Sequence, residues 1–342
     1  MGFPFKFFSG TSQGEFSVGL DIGAGSIKAV KLKSSKSGFE FSSFKLMPTA
    51  LDLTAQLKEL AGFLQTNKVN LSISGSASII RYVNFPKMTS GELKQALKFE
   101  AQKYIPFTVS EVILDSYILK DNLPENKMLV LLAAAKKDFI EQRLKQIFEA
   151  NLKVNLIDID SLALVNAFNF NYAADSVKPG ESSTLALLNI GAATSNLNIL
   201  EDDIPRLSRD IHIAGNNFTQ KISEALGIDF KQAEELKCNP DPDKLNKIAA
   251  AVEAVLSNLA QEIRTSFDYY ETQTAASVTK IYLSGAGSLF SGIKDKLANL
   301  LGIEITYWDP LKKIATLDNV ASRDAKQSLN QLAVAVGLAI RQ

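Results

Sequence analysis

The sequence predicts a duplicated α/β fold, two domains of like build around a cleft, with an inserted α/β subdomain in the first half. Three observations predict it. The stretch "VGLDIGAGSIKAVKL" (18–32) is an apolar strand with one acid, Asp21, followed by Ile-Gly, a small-residue turn and a second alternating strand. The stretch "ALLNIGAATSNLNIL" (186–200) has the same form, with Asn189 standing 168 residues after Asp21. The chain has 342 residues, enough for about two domains of ordinary size, so the repeat falls at half its length.

The elements follow in order. Residues 16–32 form a hairpin around a turn at 23–26, and a third strand spans 38–46. A helix covers 52–66. "VNLSISG" (69–75) is a strand ending in glycine, and "RYVNFP" (81–86) is one that Pro86 stops. Thr89 or Ser90 caps the next helix, Glu92 sits in its first turn and Pro106 ends it. Its buried stripe is Leu93, Ala96, Leu97, Ala101 and Tyr104, with Glu100 falling on the same face. A carboxylate on a buried face needs a partner, and Arg81 is the nearest cation that a short connection brings alongside. An Arg81–Glu100 pair is therefore expected, against the alternative of a wet helix edge.

Strands near 111–119 and 127–135, a helix at 137–150, a strand at 153–160 and a helix at 160–172 complete the first half. The polar, turn-rich segment 173–183 marks the boundary. Strands at 184–191, 194–201 and 205–213 open the second half. Helices follow at 215–226, 230–237 and 243–271. Then come a strand ending in "LSGAGS", a helix, the strand "IEITY" and a closing apolar helix read as core of the second domain. The expected division is a first core domain of 1–80 plus 159–180, an insert of 81–158 and a second core domain of 181–342.

Composition excludes several classes. Lys plus Arg and Asp plus Glu are equal at 37 each, which gives no basic field for nucleic acid. No apolar run reaches the roughly 18–20 residues of a transmembrane span, and "MGFPFKFFSG" lacks the apolar core of a secretory signal. Cys238 is the only cysteine, so neither an internal disulfide nor a cysteine zinc cluster can form. The only histidine, His212, sits in the alternation "DIHIAG" without a nucleophile motif and reads as a strand residue. Phe3, Phe5, Phe7 and Phe8 in the leader are open to two readings, a membrane or partner contact and a disordered leader.

The glycine turns carry the chemistry. A turn of Gly23, Ala24, Gly25 and Ser26 lets a ligand approach the backbone amides, and such nests bind phosphate. Lys28 adds a positive charge. Asp21 would repel a bare phosphate but suits the water shell of a Mg²⁺ that phosphates bring. Gly191, Ala192, Ala193 and Thr194 form the second such turn. Gly285, Ala286 and Gly287 follow a strand and open a helix, a third place for phosphate or ribose oxygens. Neither a Gly-Lys-Ser/Thr phosphate loop nor a dinucleotide fingerprint is present.

These segments resemble the actin-like ATPase superfamily. In order they match its two phosphate loops, then "HIAGNN" with Gly215 and Asn216, the Ala-Glu-x-x-Lys adenosine helix with Glu234 and Lys237, and the adenosine loop "YLSGAGS". "RYVNFPKMTSGELKQALKFEAQKYIPF", "QEIRTSFDYYETQ" and "AVAVGLAIR" are similar to the PilM family of type IV pilus assembly, and the resemblance covers about residues 14–342. It implies an actin-like, ribonuclease H-like duplicated fold with a helical adenosine-side subdomain at about 221–275. It implies ATP or ADP with Mg²⁺ in the cleft, the metal held through water by Asp21 and Asn189. The chain departs from the superfamily where Asn189 replaces an acid and Ala286 and Ala214 replace glycines.

The resemblance also implies a cytoplasmic protein held at the inner membrane by its partner, the cytoplasmic N-terminal tail of PilN; self-association is left open. The insert is the expected interface, with Tyr104, Ile105 and Phe107 either meeting that partner or packing the insert's own core. The sequence identifies no catalytic base. A nucleotide-binding scaffold with slow hydrolysis is the favoured function, against a turnover ATPase and a cell-division protein like FtsA.

Overall fold

The computed structural model describes residues 14–36, 38–176, 183–316 and 329–341. The leader phenylalanines and residues 177–182 of the boundary segment lie outside these residues. Among them, two sheets repeat one topology. The first holds β1 (Phe16–Ile22), β2 (Ser26–Ser35), β3 (Gly38–Pro48), β4 (Lys68–Ile73), β8 (Lys153–Ile159) and a two-residue strand β14 (Ala315–Thr316). Its order is β14-β3-β2-β1-β4-β8. The second holds β9 (Thr184–Ile190), β10 (Ser195–Glu201), β11 (Ile204–Ile211), β12 (Lys280–Ser284) and β13 (Glu304–Tyr307), in the order β11-β10-β9-β12-β13. Each sheet has an antiparallel meander of three strands, followed by two parallel strands reached through helices. The duplication seen in two hairpins extends to both sheets.

The helices that build the lobes are α1 (Leu53–Leu64), α3 (Lys137–Glu149) and α4 (Asp160–Ser176) in the first half. In the second they are α5 (Gly215–Leu226), α6 (Phe230–Cys238), the 30-residue α7 (Leu245–Thr274), α8 (Ile293–Leu301) and the closing α9 (Ala333–Ala339). The buried face of α7, including Val252, Leu256, Leu259 and Ile263, packs the second core. α4 and α9 lie between the sheets. Their cluster joins Val30, Leu32 and Phe41 of the first sheet to Leu185, Leu187 and Leu200 of the second.

The insert is shorter than the expected 81–158. Its own sheet is β5 (Ser78–Pro86), β6 (Val112–Leu123) and β7 (Lys127–Lys136), with β7 central, and α2 (Ser90–Glu100) covers one face. A Thr89–Glu92 capping box starts α2 as the sequence predicts. From Lys137 the chain is back in the first core. Ile147, Ala150 and Leu152 bury against Leu57, Leu60 and Val69, and β8 pairs with β4.

Two further expectations are corrected. The closing helix belongs to the first domain, because α9 packs on α4 and β1. That contact requires glycine on both sides: a Cβ on Gly19 would overlap the Ala335 carbonyl oxygen, and one on Gly337 the Ala163 carbonyl oxygen. Asn70 Nδ2 fixes the helix end by donating to the carbonyls of Leu338 at 2.8 Å and Arg341 at 2.6 Å. Nor does the Arg81–Glu100 pair form. Glu100 bonds Lys103 at 2.6 Å on the exposed helix edge, while Arg81 donates to the Ile80 carbonyl at 3.1 Å. A water-accessible edge leaves Glu100 no buried charge to offset.

Candidate functional site

The two glycine hairpins are built alike. Gly23 N donates to Ser26 O at 3.1 Å, and Gly191 N to Thr194 O at 3.0 Å. Behind each turn a cross-strand pair occupies the same register, Asp21 opposite Lys28 and Asn189 opposite Asn196. Lys28 Nζ lies 2.9 Å from Asp21 Oδ2, and Asn189 Nδ2 lies 3.4 Å from Asn196 Oδ1. One half thus carries an ion pair and the other an amide pair. The turns meet tip to tip: a Cβ on Gly25 would stand 2.7 Å from that of Ala192.

The third and fourth walls come from the second lobe. Gly285, at φ +91°, and Gly287 let the loop after β12 pass against Ile190, where a Cβ has no room. These glycines therefore serve backbone contact as well as open space. At the start of α5, Gly215 N donates to Gly191 O at 3.0 Å and Asn216 N to Ala192 O at 2.7 Å. On α6, Lys237 Nζ bonds Glu234 at 2.7 Å, Thr219 Oγ1 at 2.9 Å and Gly215 O at 3.2 Å, and Thr219 also donates to Glu234. Burial opposes the Glu234 charge, but the bonds from Lys237 and Thr219 outweigh it and hold its carboxyl below the usual range.

These pieces enclose one cavity of about 450 Å³. It is lined by Asp21, Gly23, Ala24, Gly25, Ser26 and Lys28 from the first hairpin, and by Asn189, Gly191, Ala192, Ala193 and Thr194 from the second. Gly215, Glu234, Lys237, Gly285, Ala286 and Gly287 complete the expected set. Asn216 is the exception. It is exposed and its amide is taken by Ala192, so its side chain lies outside the wall.

The sequence reading missed Asp160, the first residue of α4, which lines the same cavity. Burial above all, then the charges of Asp210 and Asp21, push its carboxyl well above the usual range; the Ser161 amide and Asn196 side chain pull the other way. Asp210 is raised too, by burial, although it accepts from Asn196 Nδ2 at 2.6 Å and from the Gly75 amide, and His212 stabilises its charge. Carboxylates from both lobes, Asp210 and Asp21, thus act on Asp160. Asp160 carries no glycine signal; its signal is its place at the carboxyl end of β8, where open parallel sheets bind ligands. Cys238, Leu289, Phe290 and Gln331 line the remaining wall.

Tyr104, Ile105 and Phe107 pack the insert's own core, one of their two expected roles. Ile105 is buried with Phe85, Leu93, Leu97 and Met128, and Tyr104 and Phe107 pack against that core. The Tyr104 ring lies 5.6 Å from that of Phe85. A channel of about 650 Å³ lies beside the insert, between the sheet of β6 and β7 and the edge strand β8. Tyr117, Leu131, Ala133, Ile157 and Leu162 line it.

Comparison with known proteins decides the family. The model of the type IV pilus assembly protein PilM family matches residues 19–342. The chain belongs to the PilM family. A solved PilM-PilN type IV pilus biogenesis complex matches at TM-score 0.84 and 27% identity, over 95% of this chain and 98% of that one. The ethanolamine utilization protein EutJ from Carboxydothermus hydrogenoformans matches at TM-score 0.57 and 13% identity, over 97% and 92%, a likeness of fold. The fold is actin-like, and the chain is an actin-like protein of type IV pilus assembly. Among the described residues no helix is long and apolar enough to cross a membrane.

Proposed function

We propose that this PilM-family chain is an assembly scaffold that binds Mg²⁺ with ATP or ADP in the cleft and takes the cytoplasmic N-terminal tail of PilN beside the insert. The observation that carries the nucleotide reading is the convergence of two phosphate-type turns, a glycine loop and the Glu234–Lys237 helix on one cavity. The residues fit the group. Gly215 keeps this corner open, where a Cβ would stand 3.1 Å from the Gly191 carbonyl oxygen and 3.4 Å from Lys237 Nζ. The donors near Asp21 and Asp160 are hard oxygens, and Mg²⁺ is held by one or two carboxylates, water and phosphate. Among the described residues no three His, Cys, Asp or Glu side chains form a metal cluster, which agrees with a cation brought by its nucleotide.

In this reading the turn amides and Lys28 hold phosphates, Asp21 and Asn189 orient the metal's water, and Glu234 and Lys237 meet the ribose. Asp160 is the group able to orient water in line with the terminal phosphate. A neutral Asn189 weakens the metal site, so turnover is slow. Calorimetry tests the assignment. Asp21→Ala should weaken Mg²⁺–ATP far more than ADP in EDTA, and an equal loss would remove Asp21 from the metal site.

The partner reading rests on the match to a PilM-PilN complex and on the channel under β6 and β7, lined by apolar residues with Asp115, Asp158 and Arg341 among them. An extended tail suits a channel walled by strand edges. Ala133→Trp should fill it and abolish capture of a PilN tail peptide while nucleotide binding stays intact. Undiminished capture would place the tail elsewhere.

A further inference from the structure

We propose that Gln331 selects adenine over guanine and hypoxanthine in the cleft, given a nucleotide bound there as assigned above. The two turns, the carboxylates and the Glu234–Lys237 pair are assigned to phosphate, metal and ribose. The wall left for the base is Cys238, Leu289, Phe290, Gln331 and Val334. Carbon dominates it: Val334 and Phe290 are buried, and Leu289 is exposed at 44%. A flat base laid on that wall removes apolar surface from water, and a few placed polar groups then fix its orientation.

The other polar side chains at this end already have partners. Lys237 Nζ bonds Glu234 at 2.7 Å, Cys238 Sγ donates to Glu234 at 3.8 Å, and Ser288 Oγ donates to the Gly285 carbonyl at 2.6 Å. The Gln331 amide lines the cavity and makes no hydrogen bond among the described residues. Its backbone is held in place. Gly285 N donates to the carbonyl of Asn330 at 2.7 Å, and Leu332 N donates to Leu329 O at 3.0 Å, closing the turn that carries Gln331. The amide therefore stands beside the glycine loop. A glutamine carbonyl can accept from the N6 amine of adenine while its NH₂ donates to N7. Guanine and hypoxanthine present two acceptors on that edge, O6 and N7, and an amide has donors on one atom only. One acceptor of the wrong base is then left facing the Gln331 carbonyl, and an unmade bond in a desolvated slot costs affinity.

The test is calorimetry on the nucleotide-free full chain with Mg²⁺ and ADP, IDP or GDP. The parent should bind ADP at least about tenfold more tightly than IDP or GDP, the scale of one amide–base pair. Gln331→Leu keeps the bulk and removes the amide. It should weaken ADP by about the same factor and leave IDP nearly unchanged, so the preference disappears. Gln331→Arg offers two donors to O6 and N7 and should turn the preference toward GDP and IDP. Melting without nucleotide should stay at the parent value in both variants, which separates base reading from support of the α9 turn. No binding of any diphosphate by the parent would overturn the nucleotide reading and the Gln331 assignment with it. Equal binding of the three by the parent, an adenine preference that survives in Gln331→Leu, or a loss of all three alike in that variant would overturn the Gln331 assignment alone.

Discussion

Asp160 and Asn189 show how charge is arranged in the cleft. Asp160 titrates above the ordinary carboxylate range because it is buried near Asp210 and Asp21. Its carboxyl therefore keeps a proton in the fold at pH values where the unfolded chain has released it. Folding takes up that proton, so stability falls as pH rises from the ordinary carboxylate range through the raised value. Asp160→Asn should flatten this part of the melting profile and raise the melting temperature at neutral pH. A profile unchanged in slope would show that Asp160 is not the group responsible. At Asn189, Oδ1 accepts from Ser284 Oγ at 3.2 Å and Nδ2 faces Asn196, whose own Nδ2 is already held by Asp210. Asn189→Asp removes that amide donor and brings a fourth carboxylate near three. The variant should melt lower than the parent without metal and recover on adding Mg²⁺ with ATP. Equal melting with and without Mg²⁺–ATP in both proteins would exclude a metal role at 189. Asp21 was legible because an acid in an apolar strand is conspicuous. Asp160 was not, because an acid opening a helix also reads as an ordinary first-turn residue.

At the scale of elements, strands and helices were legible where periodicity and stop signals agree, as in the capped α2 and the hairpin β1–β2. Element membership was not. Nothing in "AVAVGLAIR" says which sheet it covers, and α9 returns to the first domain because Gly19 and Gly337 permit an approach that any side chain would block. The Arg81–Glu100 pair failed similarly, since helix spacing places Glu100 on a face without showing where water reaches it. Gly337→Ala forces a methyl into the Ala163 carbonyl and should cost about 1–3 kcal/mol or more, with the denaturant midpoint falling and the slope retained. Gly62→Ala is the matched control. It sits in α1 with no atom near its added Cβ, and should gain about 0.5–1 kcal/mol. If both changes have the same sign, close approach at Gly337 does not hold α9. At the same junction Arg341 lies 2.9 Å from Asp158, which is 6% exposed on its side chain and raised by burial despite that guanidinium. Arg341→Met should destabilise strongly, with part of the loss regained in Asp158→Asn/Arg341→Met, because an unpaired buried carboxylate is the costly state.

For the molecule as a whole, the two lobes share a core. α4 and α9 carry one apolar cluster from the first sheet to the second, and Trp308, 3% exposed, lies within it. Its ring stands 5.4 Å from Phe168 and 6.0 Å from Tyr172, which also meet Tyr282 of the second sheet. Trp308 is the only tryptophan of the chain, so its fluorescence reports the junction alone. Lobes joined only by a flexible hinge would part before either sheet melts, and the Trp308 signal would change ahead of the far-ultraviolet dichroism. A shared core predicts otherwise: exposing the junction strips apolar surface from both sheets at once, so both lobes should unfold in one transition. Urea titrations followed by Trp308 emission and by dichroism should therefore coincide for the protein free of nucleotide. Saturating Mg²⁺–ADP, which would touch both lobes, should move the two curves together, by about 2.7 kcal/mol at a hundredfold excess over Kd. An early fluorescence transition that nucleotide alone delays would show that the cleft ligand, and not the α4–α9 core, holds the lobes together.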